Sequence, residues 1–466
     1  MAIDISAELQ PIDPEDARYA SLLANLQGNI LKGHGRDHTV HIFVELRRGR
    51  TLRRDLARLA GDFVTSAQRQ HVEARDYKRF GVPGALFGNL FLTARGYRAL
   101  GFSDAQLERA FPDPTFREGM RARRDDLHDP DPATWDEGYR DGRVDAMILL
   151  ADDDEGYLRR RAREVITTLR DFATVLAVER GTALRNEAGE GIEHFGYVDG
   201  RSQPIFLAAD LPAEGQVDRW DPSEPLKLAL VADPGTTGED AFGSFFVFRK
   251  LEQDVRRFMV REHALADELG LQGADRERAG AMAVGRFRDG TPLTLSQTDG
   301  FIPAKENNFT YADDPDELRC PFHAHIRKAN PRGDTVRRFG VSDAQEREHR
   351  VVRRGITYGE RNRHPNAFQT LDDLPTGGVG LLFMCFQADL ANQFVFMQQA
   401  WANSAGFVDA GTGPDPIIGQ VDPGEAPPAQ DWPLQWGQAG TKPAFFGEFV
   451  TMKGGEFFFA PSMPFL

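Results

Sequence analysis

Residues 39–46 read Thr-Val-His-Ile-Phe-Val-Glu-Leu, a run rich in β-branched and aromatic side chains that alternates along its length. That pattern specifies a strand with a buried face. Outward from it the chain keeps a rhythm. Apolar residues at helical spacing follow over 51–71 (Leu52, Leu56, Leu59, Phe63, Val64). A second strand covers 85–93 (ALFGNLFLT), and a short helix at 94–100 is stopped by Gly101. Then come a buried strand at 144–150 (VDAMILL), an amphipathic basic helix over 155–172 and a strand at 175–179. This β-α-β, β-α-β order is the ferredoxin-like pattern. The second half repeats it: strand 242–248 (FGSFFVF), helix 251–271, strand 380–386 (GLLFMCF), helix 388–401 and a closing strand at 456–460 (EFFFA). The expected architecture is α+β: two ferredoxin-like halves, 1–215 and 216–466, each an antiparallel sheet with helices. The Pro- and acid-rich stretch 207–228 reads as their connection. Segments 111–139 and 410–444 lack periodicity and are expected to be ordered excursions over the surface.

Composition narrows the function. Of 466 residues 41% are apolar, enough for a sizeable core, and 56 basic against 71 acidic side chains leave a net charge of −15. Such a chain repels nucleic-acid phosphates at long range, so no nucleic-acid partner is expected. No run approaches the roughly eighteen apolar residues of a membrane span. The start (MAIDIS) has neither a basic nor an apolar leader region, so no secretory signal and a cytoplasmic location are expected. Cys320 and Cys385 make no disulfide framework. The absence of CxxCH excludes covalent c-type haem attachment but leaves non-covalent haem open.

Three segments carry candidate chemistry. Cys320–Arg332 reads CPFHAHIRKANPR: it offers His323 and His325, and its Arg327, Lys328 and Arg332 suit an anionic ligand. A neutral imidazole is a good axial ligand for iron. Phe195–Pro204 reads FGYVDGRSQP, in which Gly196 and Gly200 bracket Asp199 on a turn whose glycines permit close backbone approach to a flat ligand. Val351–Gly359 reads VVRRGITYG; on a strand one of Arg353 and Arg354 points inward and needs an acid or anion beside it. A further trio, His34, His38 and His41, makes a poor metal site, because His38 and His41 fall on opposite faces of a strand.

Together and in this order, GxxDG at 196–200, CPxxAHIRKxNPR at 320–332 and RRGI at 353–356 resemble the dye-decolorizing (DyP-type) peroxidase family, in its longer bacterial and fungal-like subgroup. Smaller matches at 26–38, 285–293 and 380–386 extend the resemblance from residue 26 to about 403. The resemblance implies one non-covalent haem b per chain, held between sheet and helices of the C-terminal half. It implies His325 as proximal iron ligand, with His323 a neighbour only. Asp199 matches the distal acid and Arg353 the distal arginine. Arg332 matches a partner of a haem propionate, Gln203 and Gly200 lie at the haem rim, and Leu381 and Phe383 line the distal pocket. The implied reaction reduces hydrogen peroxide through Compound I and oxidises dyes, phenols or other small or bulky aromatic donors. For bulky donors the resemblance implies electron transfer through surface aromatics, for which Tyr358 and Trp401 are the candidates. Carboxylates ionise near pH 4 and imidazole near 6.5, so a distal acid implies activity favoured in acid.

One departure stands out. Where many relatives carry an acid in the QFxFxQ segment, this chain has Val395, so the partner of His325 is another residue or missing. The competing function is a non-enzymatic haem carrier or sensor in the same pocket, which would not need Asp199 and Arg353 together. An oligomer is compatible with the sequence, and the physiological reductant is not legible in it.

Overall fold

The computed structural model describes residues 3–300, 306–367, 369–421 and 425–466. In the first half, β1 (His38–Leu46), β2 (Phe87–Leu92), β3 (Ala146–Asp152) and β4 (Ala173–Thr182) lie in the order β2-β3-β1-β4, all antiparallel. Helices α1 (Leu52–Gly61), α2 (Ala67–Phe80) and α3 (Glu155–Leu169) connect them. The single helix expected over 51–71 is two. The first ends after Gly61, and Ser66 starts the second by accepting a hydrogen bond from the Arg69 amide, a cap that resets the helix direction.

The second half contributes β5 (Phe242–Gln253), α4 (Val255–Glu268), α5 (Glu277–Val284), α6 (His325–Ala329), β6 (Val352–Arg353), β7 (Ile356–Tyr358), β8 (Gly380–Gln387), α7 (391–402) and β9 (Val450–Ala460). Its order, β7-β8-β5-β9, repeats that of the first half. α7 is wound with five-residue hydrogen-bond steps, as from the Asn403 amide to the Gln398 carbonyl at 2.9 Å, a wide form that is rare outside functional sites. β5 runs five residues past its expected end because Arg249 and Lys250 find acids. Arg249 Nη1 donates to Asp129 at 2.9 Å, and Lys250 donates to Asp136 at 2.8 Å and Glu179 at 2.9 Å.

β9 joins the halves, pairing with β5 over its length and with β2 through Phe459 and Leu92, so that one ten-stranded sheet results. Its outer strands meet: Thr357 of β7 donates its hydroxyl to the Thr182 carbonyl of β4, and a Cβ on Gly181 would run into Ile356. The sheet is thus curled into a barrel. Phenylalanines pack its core, with Phe91 on Phe246 at 4.2 Å, Phe43 on Phe248 at 4.7 Å and Phe246 on Phe386 at 4.8 Å, all fully buried.

Segment 111–139 is ordered as expected but is no surface excursion. Phe111, Phe116, Met120, Leu127, Trp135 and Tyr139 are buried in the main core, carried on short helical turns or, for Phe111 and Trp135, directly after one. Segment 410–444, of which 422–424 lie outside the described residues, sends Asp415, Gln430 and Trp432 into the interior. Among the described residues no helix is long and apolar enough to cross a membrane.

Candidate active site

Where the C-terminal half of the sheet faces its helices, the chain leaves a cleft of about 1720 Å³, counting its open mouth. Leu251 of β5 and Leu381 and Phe383 of β8 line it from the sheet; Val284 of α5, Ile326 and Ala329 of α6 and Met397 of α7 line it from the helices. His325, Arg332, Asp199, Gly200, Gln203 and Arg353 all border this one cavity, as do Leu381 and Phe383. The structure therefore brings together eight of the ten residues to which the resemblance gives a haem-binding, catalytic or electron-transfer role, all but Tyr358 and Trp401.

His325 opens α6, and its Nδ1 bonds the Asp415 carboxylate at 2.8 Å. Burial works against a charged imidazole here, but the charge and hydrogen bond of Asp415 outweigh it and raise the His325 pKa. Burial likewise opposes ionisation of Asp415, yet His325 and the amides of Ile418 and Ile417, at 3.0 and 2.7 Å, hold its carboxyl below the usual range. Asp415 is thus the acid whose place Val395 had left open. With Nδ1 engaged, Nε2 is the nitrogen left for a ligand. His323 is fully buried against the Trp432 ring, 4.3 Å between centroids.

Asp199 sits on the turn that Gly196 and Gly200 make possible with φ of +94° and +82°. Its Oδ1 accepts from Arg353 Nη1 at 2.8 Å and from the Gly200 amide at 2.6 Å, and Oδ2 keeps no protein partner among the described residues. Arg353 is held in turn: Nη2 donates to the Arg201 carbonyl at 2.8 Å and its amide to Gln203 Oε1 at 3.1 Å. β6 presents it beside Cys385 of β8.

A third group surrounds Arg332. Its guanidinium donates to the Asn307 and Phe309 carbonyls, both at 2.8 Å, and to Ser202 Oγ at 2.5 Å. Both Arg332 and Ser202 have left-handed backbones, φ +46° and +63°, a strain of about 1–3 kcal/mol each that clusters at functional sites. Arg286 and Arg350 border the same cavity, and Trp220 lies against Arg332 and Arg350. Burial pushes Arg332 down to about 9, and Arg286 and Arg350 to about 10, with neighbouring guanidiniums adding to the effect. All three stay cationic at neutrality. Glu224 pairs with Arg350, whose Nη2 is nevertheless buried without a partner among the described residues. A buried excess of positive charge with an orphaned donor fits a ligand that brings its own carboxylates.

The two candidates for surface electron transfer are not on the surface. Tyr358 is 8% exposed on β7, with the Lys250 ammonium 5.2 Å over its ring. Trp401 is 6% exposed, packed against His349, Phe396 and Phe407. Their strand and helix each turn inward, where the sequence showed only an aromatic near a motif. Sequence reasoning also missed Asp415, which lies in a Gly- and Pro-dense segment without periodicity, and Glu193, three residues ahead of Gly196.

Two family models match the chain: "DyP dimeric alpha+beta barrel domain" over residues 25–184 and "Dyp-type peroxidase, C-terminal" over 281–410. The multifunctional dye peroxidase DyP2 of Amycolatopsis sp. is 43% identical over 100% of this chain and 99% of its own length. Its solved structure superposes with a TM-score of 0.92, covering 98% of this chain and 99% of that one. The DyP-type peroxidase of Anabaena sp. gives a TM-score of 0.90 at 43% identity, covering 98% and 96%. The fungal dye-decolorizing peroxidase msp1 of Mycetinis scorodonius is 30% identical over 95% of this chain and 86% of its own.

Proposed function

Because the chain belongs to the dye-decolorizing peroxidase family, a family of haem-dependent enzymes that use peroxide to oxidise dyes, we propose that its cavity takes one non-covalent haem b. In this reading His325 ligates iron through Nε2, and Arg332, Arg286 and Arg350 receive the two propionates. The observation that carries it is the convergence on one cavity of an imidazole with its Nδ1 already engaged, an acid paired with an arginine, and a buried cationic cluster with an orphaned donor.

When bound, the haem supplies the redox chemistry, passing two electrons to peroxide and recovering them one at a time from donors. The chain's own part is proton transfer, charge stabilisation and access. Asp199 takes a proton from the inner oxygen of peroxide on Oδ2, the oxygen left uncommitted, and returns it to the outer oxygen, which leaves as water. Such general acid-base help is worth about 10²–10⁴-fold. Arg353 anchors Oδ1 and offers a fixed positive charge where negative charge builds on the parting oxygens. Asp415 keeps the proton on His325 Nδ1 and so keeps Nε2 available. Leu251, Leu381 and Phe383 exclude water around these groups.

In this reading donors too bulky for the cavity pass their electrons through the protein. Trp401 is better placed for this than Tyr358. With Phe396 and His349 it lines a separate cleft of about 590 Å³, and His349 also borders the main cavity. The Tyr358 hydroxyl is buried with no hydrogen-bond partner among the described residues, so no neighbour is in place to take the proton that its oxidation would release. The carrier reading leaves the Asp199–Arg353 pair without a task.

The test is the visible spectrum of the purified protein before and after one equivalent of hydrogen peroxide. A Soret band that shifts within the mixing time and returns on adding a dye is expected. A Soret band indifferent to peroxide rejects the proposed proton-transfer machinery, and a protein that takes up no haem rejects the cavity assignment.

A further inference from the structure

Glu193 takes no part in the chemistry above, yet it borders the cavity and its carboxylate is saturated with hydrogen bonds. Oε2 accepts from the Phe195 amide at 2.7 Å and from Gln253 Nε2 at 2.6 Å; Oε1 accepts from the Tyr197 amide at 3.1 Å. Its main chain closes the same loop, donating to the Tyr197 carbonyl at 3.1 Å and accepting from the Gly196 amide at 2.9 Å. The turn has two further anchors. Phe195 stacks on Phe258 of α4 at 4.1 Å, and Tyr197 donates its hydroxyl to Glu262 of α4 at 2.9 Å.

Gly196 lies between the two anchored residues and Gly200 follows Asp199; both are left-handed and of the most permissive residue type. The main chain ties the far side of the turn, where the Asp199 amide donates to the Gly191 carbonyl at 2.9 Å and Val198 bridges Ile192. The carboxylate of Glu193, set among the turn's own amides and tied to β5 by Gln253, restrains the near side. Burial pushes its pKa up to about 7, and the three hydrogen bonds act in the opposite direction.

We propose that Glu193 is the positioning residue of the distal acid: by binding the Phe195 and Tyr197 amides it fixes the 196–200 turn so that Asp199 meets Arg353. The inference rests on Asp199 as the proton carrier. A carboxamide cannot do the same work. With its oxygen toward Phe195 and Gln253, its NH₂ confronts the Tyr197 N–H; turned over, it confronts the other two donors.

The experiment uses the holoenzyme with Glu193→Gln, Asp199→Asn and the double variant. Two quantities are read: the rate constant of the Soret change on mixing with hydrogen peroxide, and the hydrogen-exchange protection of the 195 and 197 amides. Read at about pH 8, where the Glu193 carboxyl is ionised, losing hydrogen bonds to a charged acceptor is expected to lower both in Glu193→Gln by roughly ten- to a hundredfold. The KM for a dye should not move. In the Asp199→Asn background the same substitution should cost less than about twofold in rate, since it acts through Asp199.

An equal loss in both backgrounds makes Glu193 a merely structural residue and overturns the proposal. So does lost amide protection with an unchanged rate. Should Asp199→Asn leave the peroxide rate intact, it is the reading of Asp199 that fails. If Glu193→Gln does not fold, Gln253→Met, which removes only the tie to β5, decides: a smaller loss of about three- to tenfold in rate and protection is expected, and no change in either overturns the proposal.

Discussion

Replacing Asp415 by asparagine tests how the chain holds its iron ligand. The side chain is fully buried and divides its work between its two oxygens: Oδ1 serves the Ile417 and Ile418 amides, and Oδ2 serves His325 Nδ1. Asparagine keeps Oδ1 where it is, so the loop should survive. Its Nδ2 then faces Nδ1, donor against donor. Either Nδ1–H is left unsatisfied in a buried site, or the proton moves to Nε2 and blocks ligation. The lost bond is charge-assisted at 2.8 Å, a class worth about 1.5–3 kcal/mol. At about 1.4 kcal/mol per tenfold, that is roughly ten- to a hundredfold in haem affinity, the range found when the partner of a metal-bound histidine is removed. The assay is titration of the haem-free protein with haemin, read at the Soret band, with the midpoint potential of the loaded protein as a second readout. The potential should rise, because an imidazole without its carboxylate donates less electron density. A folded Asp415→Asn protein with unchanged affinity and potential would refute the argument.

Trp401→Phe is expected to slow oxidation of bulky dyes several-fold while sparing small phenols and the peroxide step; equal loss on all three, in steady-state and stopped-flow assays, rejects a role in electron transfer. Phe246→Ala removes the ring that touches both Phe91 and Phe386 in the core and should cost about 3–5 kcal/mol in denaturant unfolding; a loss under about 1 kcal/mol would mean the site collapses around the change. Burial raises Glu317 from 4.5 to about 7 against its bond to the Phe322 amide. Between those values the folded state keeps a proton that the unfolded state has released, so this group's stabilisation is full below about pH 4.5 and fades as the pH rises through about 7. Thermal melts should therefore show Glu317→Gln gaining relative to the parent as pH is raised across that window, and parallel pH dependences would contradict the assignment.

What was legible in the sequence follows from how each element is stabilised. β1, β2, β3 and β8 declare themselves because their apolar runs pack on neighbours throughout. The far end of β5 does not, because Arg249 and Lys250 look like a strand terminus until Asp129, Asp136 and Glu179 arrive from elsewhere in the chain. Phe111, Phe116, Met120, Leu127 and Trp135 are as apolar as any core residue, but they ride on or directly after turns of three to seven residues, too short for any period to emerge. β6 has two residues and no period at all, and only the motif identified Arg353. The site divides in the same way. His325, Asp199 and Arg353 sit in compact local patterns. Asp415 is 90 residues from its partner, and Glu193 acts through main-chain amides that any residue type could supply. Contacts of that kind leave little trace in residue identity.

The internal repeat shows how the two halves differ around the cavity. In the first half the helices lie directly on the sheet: Leu52, Leu56 and Leu59 of α1 and Leu158, Ala162 and Val165 of α3 belong to the main core together with β1 and β3. In the second half α4 turns its apolar side elsewhere. Phe258 and Leu265 join Phe195, Tyr197, Phe309, Tyr311, Trp432 and Phe446 in a separate cluster. The cavity opens between this cluster and the sheet: Phe383 and Met397 line it from the main core, and Tyr197, Tyr311 and Val450 from the second cluster. A flat apolar ring with two carboxylates at one edge would join the two clusters and neutralise the arginines among them, completing in the C-terminal half the sandwich that side chains complete in the N-terminal half. On this argument the shape of the site is set by what keeps the helices off the sheet: the 193–204 turn, which carries Asp199, and the segment through Asp415, which holds His325.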